Sequence, residues 1–425
     1  MCYSNGCIYS NPILSTYVNI ATIRNAVRSK ESLTPREFAE DEDFWSLIRQ
    51  AYTVSPNIIN LNNGGVSPQP QHVQEMQYKY IQMSNEAPSH YMWHVLDQGR
   101  EPLRQKLAEL AGCLPEEIAI NRNTTEALET VIFGLNLKAG DEVILTRQDY
   151  PNMVHAWEQR EQRDGIKLVW LNLELPREDD EYFVQQFSEA VSPRTKIVHI
   201  THMINWVGQI LPVRKIAHAV KRINPAIEII SDSAHTFAHF AYHIPDLGCD
   251  YWGTSLHKWL CAPFGTGLLW VNKEKIASLW PLFANGEPQS SDIKKFEAQG
   301  TRSFPAELAI GYALDFHNAI GTERKEARLR FLKDYWAKKV KELPKVKLHT
   351  SLLPQYSCAI CGFSIDGITT AETNSFLFNK YKIHAVNIEW ENIKCVRVTP
   401  HVYTSLAELD KLVKAIEDAV NNGVQ

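Results

Sequence analysis

The sequence predicts an α/β fold, with a mostly parallel central sheet covered by helices on both faces and a smaller α+β domain after it. Three observations carry this. Between residues 141 and 271, short apolar β-branched runs alternate with amphipathic helical patterns, the signature of parallel strands joined by crossover helices. From Pro305 onward the alternation gives way to two long helical stretches and then shorter strands and helices. The chain has 425 residues and is 44% hydrophobic, enough for one large core and a second, smaller one. The expected division is an N-terminal arm over 1–60 packing with the small domain, a large domain over 61–305, and a small C-terminal domain over 306–425.

In chain order, Pro35 opens a helix over 36–52, with Phe38, Phe44, Trp45 and Ile48 as its apolar stripe. Residues 61–68, rich in Asn, Gly, Ser and Pro, read as a turn-rich loop. A helix over 101–111 precedes the alternating region. Strands are expected over 141–146, 167–171, 195–201, 227–231, 250–253 and 267–271. Helices are expected over 152–163, 180–190 and 214–222, then 306–319, 322–343 and 405–421.

Composition excludes several function classes. A formal charge of −5 does not suit a nucleic-acid surface. No apolar run is long enough for a membrane span, so no membrane partner is expected. Residues 1–30 are polar, broken by Pro12, and lack the basic and apolar regions of a signal peptide. Eight cysteines scattered through a long chain suit a reduced cytoplasmic protein. Cys358 and Cys361 form a lone CxxC in an apolar run, which reads as buried strand thiols rather than a metal site. No metal is expected. His235, His239 and His243 have helical spacing, but aromatic and small residues interleave them and Pro245 follows.

The chemistry-bearing stretch is Ser231-Asp232-Ser233-Ala234-His235, followed by Thr254-Ser255-Leu256-His257-Lys258-Trp259. An acid after one strand and a lysine after the next is the pair that pyridoxal 5′-phosphate chemistry needs. Asp232 would keep the pyridine nitrogen protonated, and Lys258 would hold the aldehyde as a Schiff base and later move protons at the substrate α-carbon. The apolar neighbours Trp252, Leu256, Trp259, Leu260 and Phe264 would lower the Lys258 pKa. Asn123 or Thr124 suits the N-cap of a following helix, whose free N–H groups, with the hydroxyls of Thr124 and Thr125, offer a phosphate site. Ser255 and His257 could add donors. His235 could reach the phenolic oxygen of the ring. Tyr150, just after a strand, could stack on the ring or pack on the core. Arg397, where a strand runs into a loop, could grip an α-carboxylate with both arms of its guanidinium.

The motifs Asn-Thr-Thr-Glu-Ala, Ser-Asp-Ser-Ala-His, Ser-Leu-His-Lys-Trp and Gly300-Thr301-Arg302, followed by Arg397, are similar in order to those of class V aminotransferases, which are fold-type-I pyridoxal phosphate enzymes. Within that family, the Asn62-Asn63-Gly64-Gly65 loop, the Asp149-Tyr150-Pro151 turn and the Arg397-Val398-Thr399-Pro400-His401 ending look most like isopenicillin N epimerase-like proteins. The resemblance implies Lys258 and Asp232 as catalytic residues and Thr124, Thr125, Ser255 and His257 as phosphate contacts; the reading of the residues adds His235 to the catalytic set and Tyr150 to the cofactor contacts. Arg397 and Asn63 are implied as substrate contacts. Thr301 would reach the cofactor phosphate of a neighbouring subunit, implying a homodimer with shared active sites. Cysteine desulfurases carry a nucleophilic cysteine on a loop before the carboxylate arginine; here residues 382–386 contain none. The expected activity is epimerisation at the α-carbon of an amino acid or its derivative. Transamination, C–S (β-) elimination and a binding protein without turnover are the alternatives. A two-base epimerase needs a second acid on the other face of the substrate, for which His90, Tyr91 and His94 are candidates.

Overall fold

The computed structural model describes residues 18–424. Cys2, Cys7 and Pro12 lie outside the described residues.

The central sheet has seven strands. They are β2 (Ile118–Asn121), β3 (Glu142–Thr146), β4 (Lys167–Leu171), β5 (Thr195–Thr201), β6 (Glu228–Asp232), β7 (Tyr251–Ser255) and β8 (Gly267–Val271). A two-residue strand, β1 (Ile59–Asn60), precedes them outside this sheet. The order across the sheet is β2-β8-β7-β6-β5-β3-β4. β4, β3, β5, β6 and β7 pair in parallel, while β8 runs antiparallel to both β7 and β2. β8 alone is therefore reversed, and the other six strands end on one edge. β2, β3, β6, β7 and β8 are almost wholly buried, as expected of strands covered on both faces. The order turns back at the β3–β5 pair, since β4 lies beyond β3 on one side and β6 and β7 beyond β5 on the other. In open α/β sheets, ligands sit outside the strand ends at such a reversal.

The small domain holds a four-stranded antiparallel sheet of β9 (Val346–Leu348), β10 (Cys361–Ile365), β12 (Val386–Trp390) and β13 (Ile393–Val398), in the order β12-β13-β10-β9. Leu332, Trp336 and Val340 of helix Thr322–Lys341, Leu377 of helix Thr370–Tyr381, and Leu412 and Ile416 of helix Leu406–Asn422 pack on it. β11 (Ile383–His384) pairs in parallel with β1.

Three expectations need correction. The arm helix over 36–52 is two helices, Pro35–Ala39 and Glu42–Arg49, because the Asp41 carboxylate accepts the Phe44 N–H and starts a second helix. Phe38, Phe44, Trp45 and Ile48 are still buried together, but with Phe240 and Trp259 of the large domain as well as Val402 and Tyr403 of the small one. The arm thus packs on both domains. Helix Phe304–Ile320 places Ala309, Ile310, Ala313 and Leu314 in the large core, so the small domain's own packing begins after it.

Residues 234–239 form turns, so the three spaced histidines share no helical face. His239 is buried and stacks on Trp259 with ring centroids 3.6 Å apart, while His243 is exposed. Among the described residues, no helix is long and apolar enough to cross a membrane.

Candidate active site

A cavity of about 240 Å³ opens at the carboxyl edge of the central sheet. Most wall residues come from strand ends. Asn123, Thr124 and Thr125 follow β2, Tyr150 follows β3, and Thr201 ends β5 with Met203 and Asn205 just beyond. Asp232 and His235 end β6 and its loop, and Ser255, His257 and Lys258 end β7 and its loop. Arg397 of β13, with Gly64 and Gly65, closes the cavity from the small-domain side. Parallel strands bring residues far apart in sequence to one edge.

At one end, Asn123 is the N-cap of helix Thr124–Gly134, its side chain accepting the Glu126 N–H at 2.9 Å. Ser255 Oγ accepts the Thr124 N–H at 3.0 Å and lies 2.7 Å from Thr124 Oγ1. Two hydroxyls thus meet at the positive end of a helix, as phosphate recognition requires. The N-cap lies so close to β8 that a Cβ on Gly267 would fall 2.5 Å from Asn123 N. His257 Nδ1 donates to Thr266 O at 3.1 Å, which leaves Nε2 free for a ligand.

At the centre, the half-buried Lys258 Nζ lies 3.1 Å from His235 Nε2. Burial pulls the lysine down to about 8; Asp232 opposes this and Arg397 adds to it. Burial pushes Asp232 up to about 6, with Asp149 reinforcing the rise. Burial also lowers His235 well below the ordinary histidine value, so its ring is neutral. Its Nδ1 is buried without a partner among the described residues. Tyr150 is half exposed and lines the cavity.

At the far end, Arg397 Nη1 donates to Asn205 O and Nη2 to Asn62 Oδ1, both at 2.9 Å. The guanidinium is buried, its Nε is unpartnered, and no carboxylate pairs with it among the described residues. Burial lowers it to about 10. A buried arginine without an anion is costly, and a ligand carboxylate would relieve that cost. The Leu61–Gly65 loop is bound to the end of β13, with the Thr399 N–H donating to Leu61 O and the Gly64 N–H to Thr399 Oγ1. A Cβ on Gly64 would lie 3.1 Å from Thr399 and 3.4 Å from Arg397 Cζ, so the bare backbone lets the loop close over the arginine.

One expected site residue falls elsewhere. The Asn63 side chain is buried and used internally, donating to Thr399 O at 2.8 Å and accepting from the Tyr403 hydroxyl at 2.5 Å. It does not line the cavity; its neighbour Asn62 does the work of holding Arg397. Thr301 is exposed and does not line the cavity of its own chain. His90, Tyr91 and His94 likewise lie outside it. Sequence reasoning missed Asn205, whose Oδ1 is buried and unpartnered at the cavity wall, and Thr201. The available signal was polar residues directly following a parallel strand.

The residues fit pyridoxal phosphate. A hydroxyl pair at a helix N-terminus suits the phosphate, Asp232 the ring nitrogen, and a lysine with a lowered pKa the aldehyde.

Residues 59–410 match the sequence profile of the family described as Aminotransferase class-V. The chain is 26% identical over 391 residues to isopenicillin N epimerase of Streptomyces clavuligerus, covering 88% of this chain and 98% of that protein. It is also 26% identical over 335 residues to a probable cysteine desulfurase of Synechocystis, covering 74% and 78%. A solved structure of a C-DES mutant with glycine covalently linked to its PLP cofactor superposes with a TM-score of 0.79 at 22% identity, covering 87% of this chain and 99% of that one.

Proposed function

Because this chain belongs to the class V aminotransferase family, and so is a pyridoxal phosphate-dependent enzyme, we propose that it acts at the α-carbon of an amino acid or amino-acid derivative as an epimerase. The observation that carries the substrate class is Arg397, a buried guanidinium without a carboxylate partner among the described residues, facing the same cavity as Lys258. Similarity to isopenicillin N epimerase supports the reaction type. Desulfuration is disfavoured because no cysteine among the described residues lines the cavity, and Cys395 is buried in β13 with its thiol toward Trp206 O.

When bound, the cofactor's protonated ring draws electron density from the substrate α-carbon. The chain's own residues supply the rest. Thr124, Thr125, Ser255 and His257 would hold the phosphate, Asp232 the ring nitrogen, and Tyr150 would flank the ring. Arg397 clamps the substrate carboxylate and so fixes which α-substituent faces Lys258. Lys258 would anchor the cofactor and, as a free amine, would take the substrate's α-proton; a pKa of about 8 suits that task at neutral pH. His235, neutral and against Nζ, accepts a hydrogen bond from the amine and orients it. A second copy of the chain completes each site, with Thr301 reaching the partner's phosphate site.

The test is α-proton exchange in D2O. The PLP-loaded protein is incubated with a panel of L-amino acids, without keto acid, and followed by NMR. Catalytic deuterium entry with both stereoisomers appearing is the expected result. Stoichiometric keto acid after one turnover would make it an aminotransferase, and pyruvate over many turnovers a β-lyase.

A further inference from the structure

Behind Asp232, away from the cavity, lies a buried cluster that the chemistry above does not use. Asp149, from the loop after β3, and His199, from the middle of β5, are 1% and 0% exposed. With Asp232, their ligand-type atoms all lie within 4.8 Å of one another. His199 Nε2 faces Asp149 Oδ2 at 3.4 Å, and neither atom has another partner among the described residues. On the other side of the ring, Trp157 Nε1–H donates to His199 Nδ1 at 3.0 Å. Indole N–H is a donor only, so Nδ1 must be the acceptor, and the imidazole proton sits on Nε2, aimed at the carboxylates. Asp149 Oδ1 accepts the Tyr150 N–H at 2.6 Å, and Asp232 Oδ1 accepts the Ala234 N–H at 3.0 Å.

The charges decide the protonation. Two buried carboxylates this close do not both ionise without a cation. Burial lowers His199 to about 4, so it is neutral. The charged and titratable groups around the pair are His199 from β5, each carboxylate facing the other, and Lys258 from the loop after β7, with Arg397 beyond it. Lys258 favours the charge on Asp232; among the described residues no cation acts on Asp149, which burial pushes up to about 7 although the Tyr150 N–H and the Thr201 hydroxyl oppose the rise. Asp149 is the member that keeps the proton.

We propose that Asp149 and His199 are positioning residues that hold a proton behind Asp232, so that the cluster carries one negative charge and Asp232 remains the ionised acceptor for the cofactor's ring nitrogen. The inference deepens the assignment of this cavity as a pyridoxal phosphate site and rests on it. The cluster also joins Asp232 to the backbone of Tyr150 through Asp149.

The test is 15N NMR of the holoenzyme loaded with ring-15N pyridoxal phosphate, with cofactor affinity measured alongside. Wild type should show a pyridinium shift at pH 7. Removing the Nε2 donor in His199→Phe should raise the proton affinity of Asp232 and move the shift toward neutral pyridine. Losing that N–H beside the carboxylate pair, which favours the charge on Asp232, should weaken cofactor binding about tenfold. Asp149→Asn, a neutral stand-in for the protonated acid, should keep the pyridinium shift and bind cofactor within about threefold of wild type. If His199→Phe does not fold, Trp157→Phe, which frees the imidazole tautomer, should move the shift in the same direction. An unmoved shift in the folded His199→Phe or Trp157→Phe protein, or loss of the pyridinium in Asp149→Asn, would overturn the proposal. Failure of wild type to take up the cofactor would instead sink the reading of the cavity itself.

Discussion

Replacing Arg397 with lysine isolates the geometry of the carboxylate clamp from its charge. In the native protein the guanidinium is fixed by Asn205 O and Asn62 Oδ1, each at 2.9 Å, which leaves Nε and the remaining Nη hydrogens for a ligand. A lysine ammonium keeps the charge but offers a single point donor where the fork offered two parallel bonds. One charge-assisted hydrogen bond is worth about 1.5–3 kcal/mol, so kcat/KM for an amino acid should fall about tenfold to a hundredfold. The loss should appear mainly in KM, because carboxylate binding is made before the proton moves. The assay is α-deuterium exchange against concentration for the amino acid that exchanges fastest. The control is the amine lacking the carboxylate, for which Arg397→Lys should change little. Cofactor absorbance should not move, since Thr124 and Ser255 lie at the other end of the cavity. An equal loss for the amine and the amino acid would refute the clamp and leave Arg397 as a tie between the Asn62 and Asn205 loops.

The remaining predictions concern the lysine and the second subunit. Borohydride reduction of the holoenzyme should attach the cofactor to Lys258 alone, so Lys258→Ala should show neither the adduct by mass spectrometry nor α-exchange; an adduct elsewhere would contradict the assignment. In the apoprotein, Lys258 is lowered to about 8 in the folded state, against about 10.4 unfolded. The unfolded chain binds more protons between those values, so stability rises with pH there and the full cost of burying the charge is felt below about 8. The thermal midpoint of the wild-type apoprotein should therefore gain on that of Lys258→Met across this window, and parallel pH curves would count against a buried, depressed amine. Thr301→Ala should weaken cofactor retention about threefold to tenfold, the loss of one hydroxyl hydrogen bond. A monomer that stays fully loaded in equilibrium dialysis would contradict the shared site.

Much of this was legible in the sequence because it depends on local pattern. Asp232 and Lys258 each follow an apolar β-branched run, and parallel strands deliver their following residues to one edge. Thr124 was legible as a helix start because Asn123 is a strong cap. What escaped depends on contacts distant in sequence. Asn62 and Asn63 are chemically the same; only the hydrogen bonds to Thr399, Tyr403 and Arg397 decide which one turns inward. His199 reads as an interruption in the apolar strand Thr195–Thr201, and its meaning appears only with Trp157 and Asp149 beside it. A polar ring in the middle of a central strand was the clue, because a fully buried imidazole needs partners. The packing of the helix at the boundary expected after residue 305 was hidden for a similar reason. Helix Phe304–Ile320 is apolar nearly all round, and such a helix belongs to whichever core surrounds it.

The single carboxyl edge has a consequence for how the protein matures. Its wall residues run from Asn123 to Arg397, so the site does not exist until the sheet is in register and the small domain has docked. Contacts of such long sequence separation form late and slowly. A cofactor that binds only the finished edge acts as a ligand of the native state, and its binding free energy is added to the stability of every strand at once. Cofactor supply would thus set how much of the newly made chain survives, and the vitamin status of a cell would be written into the abundance of the protein as well as its turnover.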